Sequence, residues 1–217
     1  VIAYTDHGSG HAIVLLHGVP TSSWMYRKLI PRLQADHRVI TIDFLGYGSS
    51  DKPSEASADY SSAAQAERVR ALVDHLGLSS YAIIMHDMGG LVAWKLLADD
   101  TARISHLVVL NTIVSRTGFS APNLEGGVLT RQLMRAYSSD LTSAMILKKT
   151  FDDLGLTGEQ QLSEAECSGY VTPMREGSDG ALYSFFTSLD DTLFDDLAAN
   201  RARFSGLDVP TLVLWGD

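Results

Sequence analysis

Cysteine is nearly missing from this chain: among 217 residues only Cys167 carries a thiol. An internal disulfide is thereby excluded, together with most thiolate metal sites. Cys167 has neither a glycine-rich turn nor a following histidine, so it reads as an incidental free thiol. Positive charge is also short. Lys and Arg total 17 against 26 Asp and Glu, a net charge of −9, and no basic cluster offsets it. That balance argues against a nucleic-acid partner and against an anionic membrane surface. No apolar run approaches the length of about 20 residues that a membrane span needs. The N-terminus lacks a signal-peptide pattern, and the expectation is a cytoplasmic protein. Histidine is the last scarcity, since none follows His106.

What is present is ordinary for one α/β domain: 45% hydrophobic residues, enough to bury a substantial core. Val1 reads as part of a strand, and Ala12-Ile-Val-Leu-Leu-His17 is a continuous apolar run closed by His-Gly. Trp24 to Leu33 shows helical spacing, and Val39-Ile-Thr-Ile-Asp43 is a second buried strand. A turn-rich stretch from Gly46 to Ser57 precedes a long helix, with Ser62-x-x-Gln65 as a capping box and an end near Gly77. Further strands are expected from Tyr81 toward Asp87, at Ile104 to Asn111 and at Thr211 to Trp215. Strands alternating with helices imply a mainly parallel, doubly wound sheet with ligands at the carboxyl ends of its strands.

One interval breaks the alternation. Asn111 to Val209 has mostly helical periodicity, as in 127–154 and 180–188, too long for a plain connection. It reads as a helical lid, followed by a return helix from about Leu193 to Phe204. The expected organisation is a core at 1–114, a lid inserted at 115–190, and a return helix and strand at 191–217. The missing initiator Met and the stop just after the last strand suggest a fragment of a longer domain.

Three motifs fall at one end of that sheet. In Tyr81-Ala-Ile-Ile-Met-His-Asp-Met-Gly-Gly90 a buried strand ends at Asp87, two glycines follow, and a helical pattern starts at once. A strand, tight turn and helix force the Asp87 side chain to the tip, beside the free amide of Met88. The alternative is that Asp87 merely caps the helix, a position Asp favours. His17-Gly18-Val19-Pro20 follows the first buried strand, and a turn at Gly18 would present the amide of Val19 as a second oxyanion donor. His17 is read as fixing this loop by hydrogen bonds rather than as a base. Trp24 lies near enough to line a pocket, although packing is the commoner use of such an aromatic. The third motif, Asp43-Phe-Leu-Gly-Tyr-Gly-Ser-Ser-Asp-Lys-Pro53, lacks the third glycine and the helix start of a dinucleotide fingerprint.

Together these motifs resemble the α/β-hydrolase superfamily. The Asp elbow is similar to that of haloalkane dehalogenases and epoxide hydrolases. Pro20-Thr-Ser-Ser-Trp-Met-Tyr-Arg-Lys-Leu-Ile-Pro31, the Asp43 to Pro53 segment and the bulky Met85 are most similar to the dehalogenase versions. The resemblance spans Val1 to Ser115 and resumes at Val209. It implies an α/β-hydrolase fold, a nucleophilic Asp87, an oxyanion hole from the Val19 and Met88 amides, and a small apolar organic substrate with water. No metal or organic cofactor is implied.

The chain departs from that pattern at the leaving-group site. Met88 stands where dehalogenases usually place a Trp whose ring N–H holds the halide, and Val19 offers no side-chain amide. Epoxide hydrolases use lid tyrosines as the acid, and Tyr137, Tyr170 and Tyr183 are the candidates here. The family scheme also needs a His-activated water and a second acid. No histidine follows His106, Asn111 cannot serve as an acid, and Asp217 falls one residue short of the other acid position. His86 should point away from Asp87 along the strand. The expectation is a chain that forms the ester intermediate but turns over poorly. A non-catalytic binding relative is the remaining alternative.

Overall fold

The computed structural model describes residues 1–115, 126–153, 161–189 and 191–216. Six strands form one sheet: β1 (Tyr4–His7), β2 (Ala12–Leu16), β3 (Arg38–Ile42), β4 (Tyr81–Asp87), β5 (Ile104–Thr112) and β6 (Thr211–Leu214). Their spatial order is β1-β3-β2-β4-β5-β6. Only β1 runs antiparallel; β2 is central, parallel to β3 and to β4, and β5 and β6 continue the parallel run.

The apolar runs explain this arrangement. All five residues of β2 are buried, as a parallel strand covered on both faces requires. Successive side chains leave a strand on opposite faces. Val14, Leu16, Ile40, Ile42, Ile83 and Met85 accordingly join one core cluster. Ile13, Leu15, Val39, Ala82 and Ile84 form the core on the other face. Helices α1 (Ile30–Leu33), α2 (Ser62–His75) and α3 (Met88–Asp100) connect these strands. Between β5 and β6 stand α4 (Val128–Ser138), α5 (Ser143–Asp153), α6 (Glu164–Arg175), α7 (Asp179–Thr187) and α8 (Asp191–Phe204). Leu147, Tyr170, Val171 and Met174 of α5 and α6 make a small core of their own. No helix among the described residues is long and apolar enough to cross a membrane.

Several local expectations are corrected. The strand expected at Val1 starts at Tyr4, and its sequence Tyr-Thr-Asp-His is exposed throughout, so it carried no apolar signal. The helix expected over Trp24 to Leu33 splits into a short 3-10 turn, Ser23–Tyr26, and α1, where Pro31 sits in the first turn as a start rather than a continuation. The cap of α2 is Ser61, not Ser62, with its side chain accepting from the amide of Ala64. Gln65 is buried and does not close a box; its side-chain amide instead bonds both the N–H and the C=O of Leu45. Helix α6, which carries Pro173 and a true capping box of Ser163 and Glu166, went unread. The end of α2 falls as expected, with Gly77 at φ +65° closing the helix.

Candidate active site

The carboxyl ends of β2, β3 and β4 meet at Asp87. This residue closes β4 and precedes α3 with φ 49° and ψ −119°, a region that L side chains rarely occupy. The tight turn requires it, because β4 must reverse into α3 without an intervening loop. Asp87 makes no capping bond to α3. Its Oδ1 instead accepts a 2.8 Å hydrogen bond from the amide of Val19. The hydroxyl of Thr112 on β5 donates to the Asp87 carbonyl at 2.6 Å and pins the turn from the opposite side.

Three glycines permit this approach. A Cβ on Gly18 would lie 2.5 Å from the Asp87 Cβ, so the loop after β2 can press on the elbow only as glycine. A Cβ on Gly89 would meet the Leu16 carbonyl oxygen at 2.3 Å, and one on Gly90 the Thr112 hydroxyl at 1.8 Å. Helix α3 therefore begins in direct contact with the ends of β2 and β5.

His17 is fully buried, and both its ring nitrogens bond to backbone. Nδ1 donates to the Gly18 carbonyl at 2.8 Å and Nε2 accepts from the Phe44 amide at 3.1 Å. Burial lowers its pKa, opposed by the nearby negative charge of Asp43. His17 thus ties the loop after β2 to the loop after β3. Asp43 does the same from the other side: Oδ1 accepts from the Ser23 amide and Oδ2 from the Ser49 amide, each at 2.8 Å. The glycine-rich loop of the third motif therefore wraps around a carboxylate of the chain itself. A Cβ on Gly48, at φ +53°, would sit 2.1 Å from that carboxylate.

His86 is not simply turned away from Asp87. The pairing of β4 with β5 shifts register between these two residues, which breaks the strand alternation. Both border Gly18, whose added Cβ would lie 2.8 Å from His86 Nδ1 and from Asp87 Oδ1. Burial lowers the His86 pKa, and the Asp87 charge opposes that shift.

The three tyrosines named from the sequence stand in different surroundings. Tyr170 on α6 accepts a 3.0 Å bond from Arg27 through its hydroxyl. Tyr183 on α7 accepts from the Gly127 amide at 3.0 Å, with the Arg131 guanidinium over its ring. Tyr137 on α4 packs between the main core and the α5–α6 core. Trp24 faces α6 rather than standing free: its ring N–H donates to the Glu166 carbonyl at 3.1 Å, and Gly169 leaves room for the ring.

Around Trp24 lies a cluster that pairs the core with α6. Glu166 accepts from Arg27, Lys28 and Ser163. Lys28, then Arg27 and Ser163, hold its carboxyl well below the usual range. A depressed carboxyl pKa stabilises the folded state above the unfolded value of about 4.3 and loses that contribution as pH falls through the folded one. The thermal midpoint of Glu166→Gln should therefore trail that of the parent at neutral pH and converge with it in acid. A difference that stays constant from neutral to acid pH would refute the assignment.

Sequence reading also missed Tyr47. Its side chain is buried, its ring stands 5.7 Å from that of His17, and its hydroxyl has no protein partner. Burial pushes this phenol up, and the Asp87 charge adds to the shift. An unsatisfied buried hydroxyl is costly, so Tyr47→Phe should stabilise the fold by about 1 kcal/mol in urea unfolding. A loss of stability would mean that the hydroxyl is bonded in solution. No trio of His, Cys, Asp or Glu among the described residues is placed to hold a metal ion.

Comparison with known proteins places the chain among relatives. The chain is 29% identical over 232 residues to a cis-3-alkyl-4-alkyloxetan-2-one decarboxylase of Shewanella oneidensis, covering 98% of this chain and 69% of that protein. It is 32% identical over 226 residues to a haloalkane dehalogenase of Mycobacterium marinum, covering 99% of this chain and 71% of that protein. The fold matches that of an epoxide hydrolase from Vigna radiata with a TM-score of 0.76 at 21% identity, covering all of this chain and 76% of the other. A model of the alpha/beta hydrolase fold family matches residues 11–217, and the chain belongs to that family of enzymes.

Proposed function

We propose that this hydrolase acts through a covalent ester on Asp87, most simply in haloalkane dehalogenation. The observation that carries the reading is the resting state of Asp87: strained, uncapped, and bound through Oδ1 to the Val19 amide. With Oδ1 held, Oδ2 is the oxygen that attacks. An O–C bond forms to an sp3 carbon of the substrate, and the carbon–halogen bond breaks as halide leaves with the electron pair. Oδ1 becomes the ester carbonyl oxygen, already seated on Val19, with the Met88 amide as the second donor. Attack of water on that carbonyl, with one of its protons released to solvent, develops charge on Oδ1, which the two amides stabilise. The ester C–O bond then breaks, the leaving alkoxide takes the remaining proton of that water, and the carboxylate returns.

Haloalkanes, epoxides and oxetan-2-ones share one feature, an sp3 carbon bonded to a leaving group. Epoxide opening is the second reading. It is favoured by Tyr170, whose hydroxyl accepts from Arg27 and so keeps its own proton free to donate. His17 has both nitrogens occupied and is not the base for the second step. No histidine follows His106, so in this 217-residue chain the ester should outlast its formation.

The test is the intact mass after incubation with a short haloalkane or an epoxide, with peptide mapping of any adduct. A gain of one alkyl group on Asp87 supports dehalogenation, and addition of a whole epoxide there supports the second reading. A folded chain that gains no mass would remove both and return a binding relative as the better account.

A further inference from the structure

A cavity lies between α3 and α8, beside Val114 and Ser115 after β5, with Asp87 outside its lining. Its volume is about 390 Å³, and Trp94, Val114, Ser115, Leu197, Arg201 and Phe204 line it. That volume falls within the range of about 300–1,000 Å³ typical of small-molecule sites.

The walls are mostly apolar and well fixed. The Trp94 ring N–H donates to the Ile113 carbonyl at 3.0 Å, so its polar edge is satisfied and its orientation set. Phe204 packs against it with ring centroids 5.8 Å apart. Leu197 is buried, whereas Val114 stands half exposed at the rim. An ion pair between Lys95 and Asp196 at 2.9 Å joins the two helices next to the cavity. Among the six lining residues Arg201 carries the only charge, and no carboxylate opposes it. Its guanidinium has no partner among the described residues, in contrast to Arg27, Arg38, Arg103 and Arg131, which are all paired.

We infer that this cavity binds a small amphiphilic anion, a medium-chain carboxylate, with its tail against Trp94, Leu197 and Phe204 and its head on Arg201. A guanidinium offers two parallel N–H donors that match a carboxylate, and a chain of methylenes needs only dry walls. None of these residues takes part in the Asp87 reading, so the site stands independently of it.

Titration of the full chain with octanoate below its micelle concentration, read by tryptophan emission, tests the inference. A saturable change is expected that disappears in Trp94→Phe while Trp24 and Trp215 remain. Octan-1-ol should bind at least tenfold more weakly, and octylamine more weakly still. Arg201→Met keeps the stem and removes the charge, so octanoate should lose about tenfold in affinity there, equivalent to about 1.4 kcal/mol. Val114→Trp, at a half-exposed position, should block binding by filling the rim without disturbing the core. Asp87→Asn should leave octanoate binding unchanged. Octanoate binding that survives Arg201→Met undiminished, or that is lost in Asp87→Asn, would overturn the assignment, as would the absence of any saturable signal.

Discussion

Asp87→Asn should leave the fold intact and abolish adduct formation, lowering its rate by about 10⁴-fold or more, as loss of a covalent nucleophile does. The amide keeps the shape of the carboxylate, and its oxygen can still accept from the Val19 N–H, so the turn has no reason to move. Asp87→Glu separates position from chemistry. It retains the carboxylate but displaces it by one methylene, and a misplacement of about 1 Å costs on the order of 10²-fold. Asp87→Gly tests the strain. Glycine accepts φ 49° and ψ −119° at no steric cost, so Asp87→Gly should be more stable than Asp87→Ala by about 1–3 kcal/mol. Mass spectrometry reads the first two variants and urea unfolding the third. A helix-capping role predicts a different pattern: Asn would then behave like Asp in every respect, including alkylation. Undiminished labelling of Asp87→Asn would thus end the nucleophile reading.

The elbow was legible because it is a local event. A buried run ends at a polar residue, and paired glycines follow, so strand, turn and helix can be read within ten residues. The sheet was legible for a related reason, since parallel strands buried on both faces need uninterrupted apolar runs, as in Ala12 to Leu16. What escaped depends on contacts distant in sequence. Gln65 looked like a capping residue because its spacing from Ser62 is right, but the backbone of Leu45 holds its side chain. Asp43 looked like the start of a loop, whereas it holds two loops through the Ser23 and Ser49 amides. Thr112 pins the elbow from β5, and no spacing rule links it to Asp87. Helix α6 was hidden by Pro173 and by polar residues such as Glu164 and Glu166; the partners of Glu166, Arg27 and Lys28, lie far off in sequence. The tyrosines illustrate the same limit: residue type nominated Tyr137, Tyr170 and Tyr183, but only three-dimensional contacts show which hydroxyls are engaged.

Gly89→Ala should be strongly destabilising. The added methyl would meet the carbonyl oxygen of Leu16 at 2.3 Å, its carbon at 2.7 Å and the His17 oxygen at 2.8 Å, all of them backbone. Backbone in a central parallel strand cannot rotate aside, so α3 must lift from β2 at a cost of about 3 kcal/mol. Gly90→Ala meets the Thr112 side chain instead. That side chain can turn, but turning breaks its bond to the Asp87 carbonyl, so an intermediate cost is expected. Gly206→Ala finds open space and should fall within about 0.5 kcal/mol of the parent. Urea midpoints should follow that order. The consequence reaches past stability, because Asp87 is carried at the start of α3 and Val19 follows directly on β2. Lifting the helix stretches the 2.8 Å bond between the Val19 amide and Oδ1, so whatever Gly89→Ala remains folded should also label slowly at Asp87. If Gly89→Ala unfolds with the parent's midpoint, the close approach that seats the carboxylate on its amide does not exist.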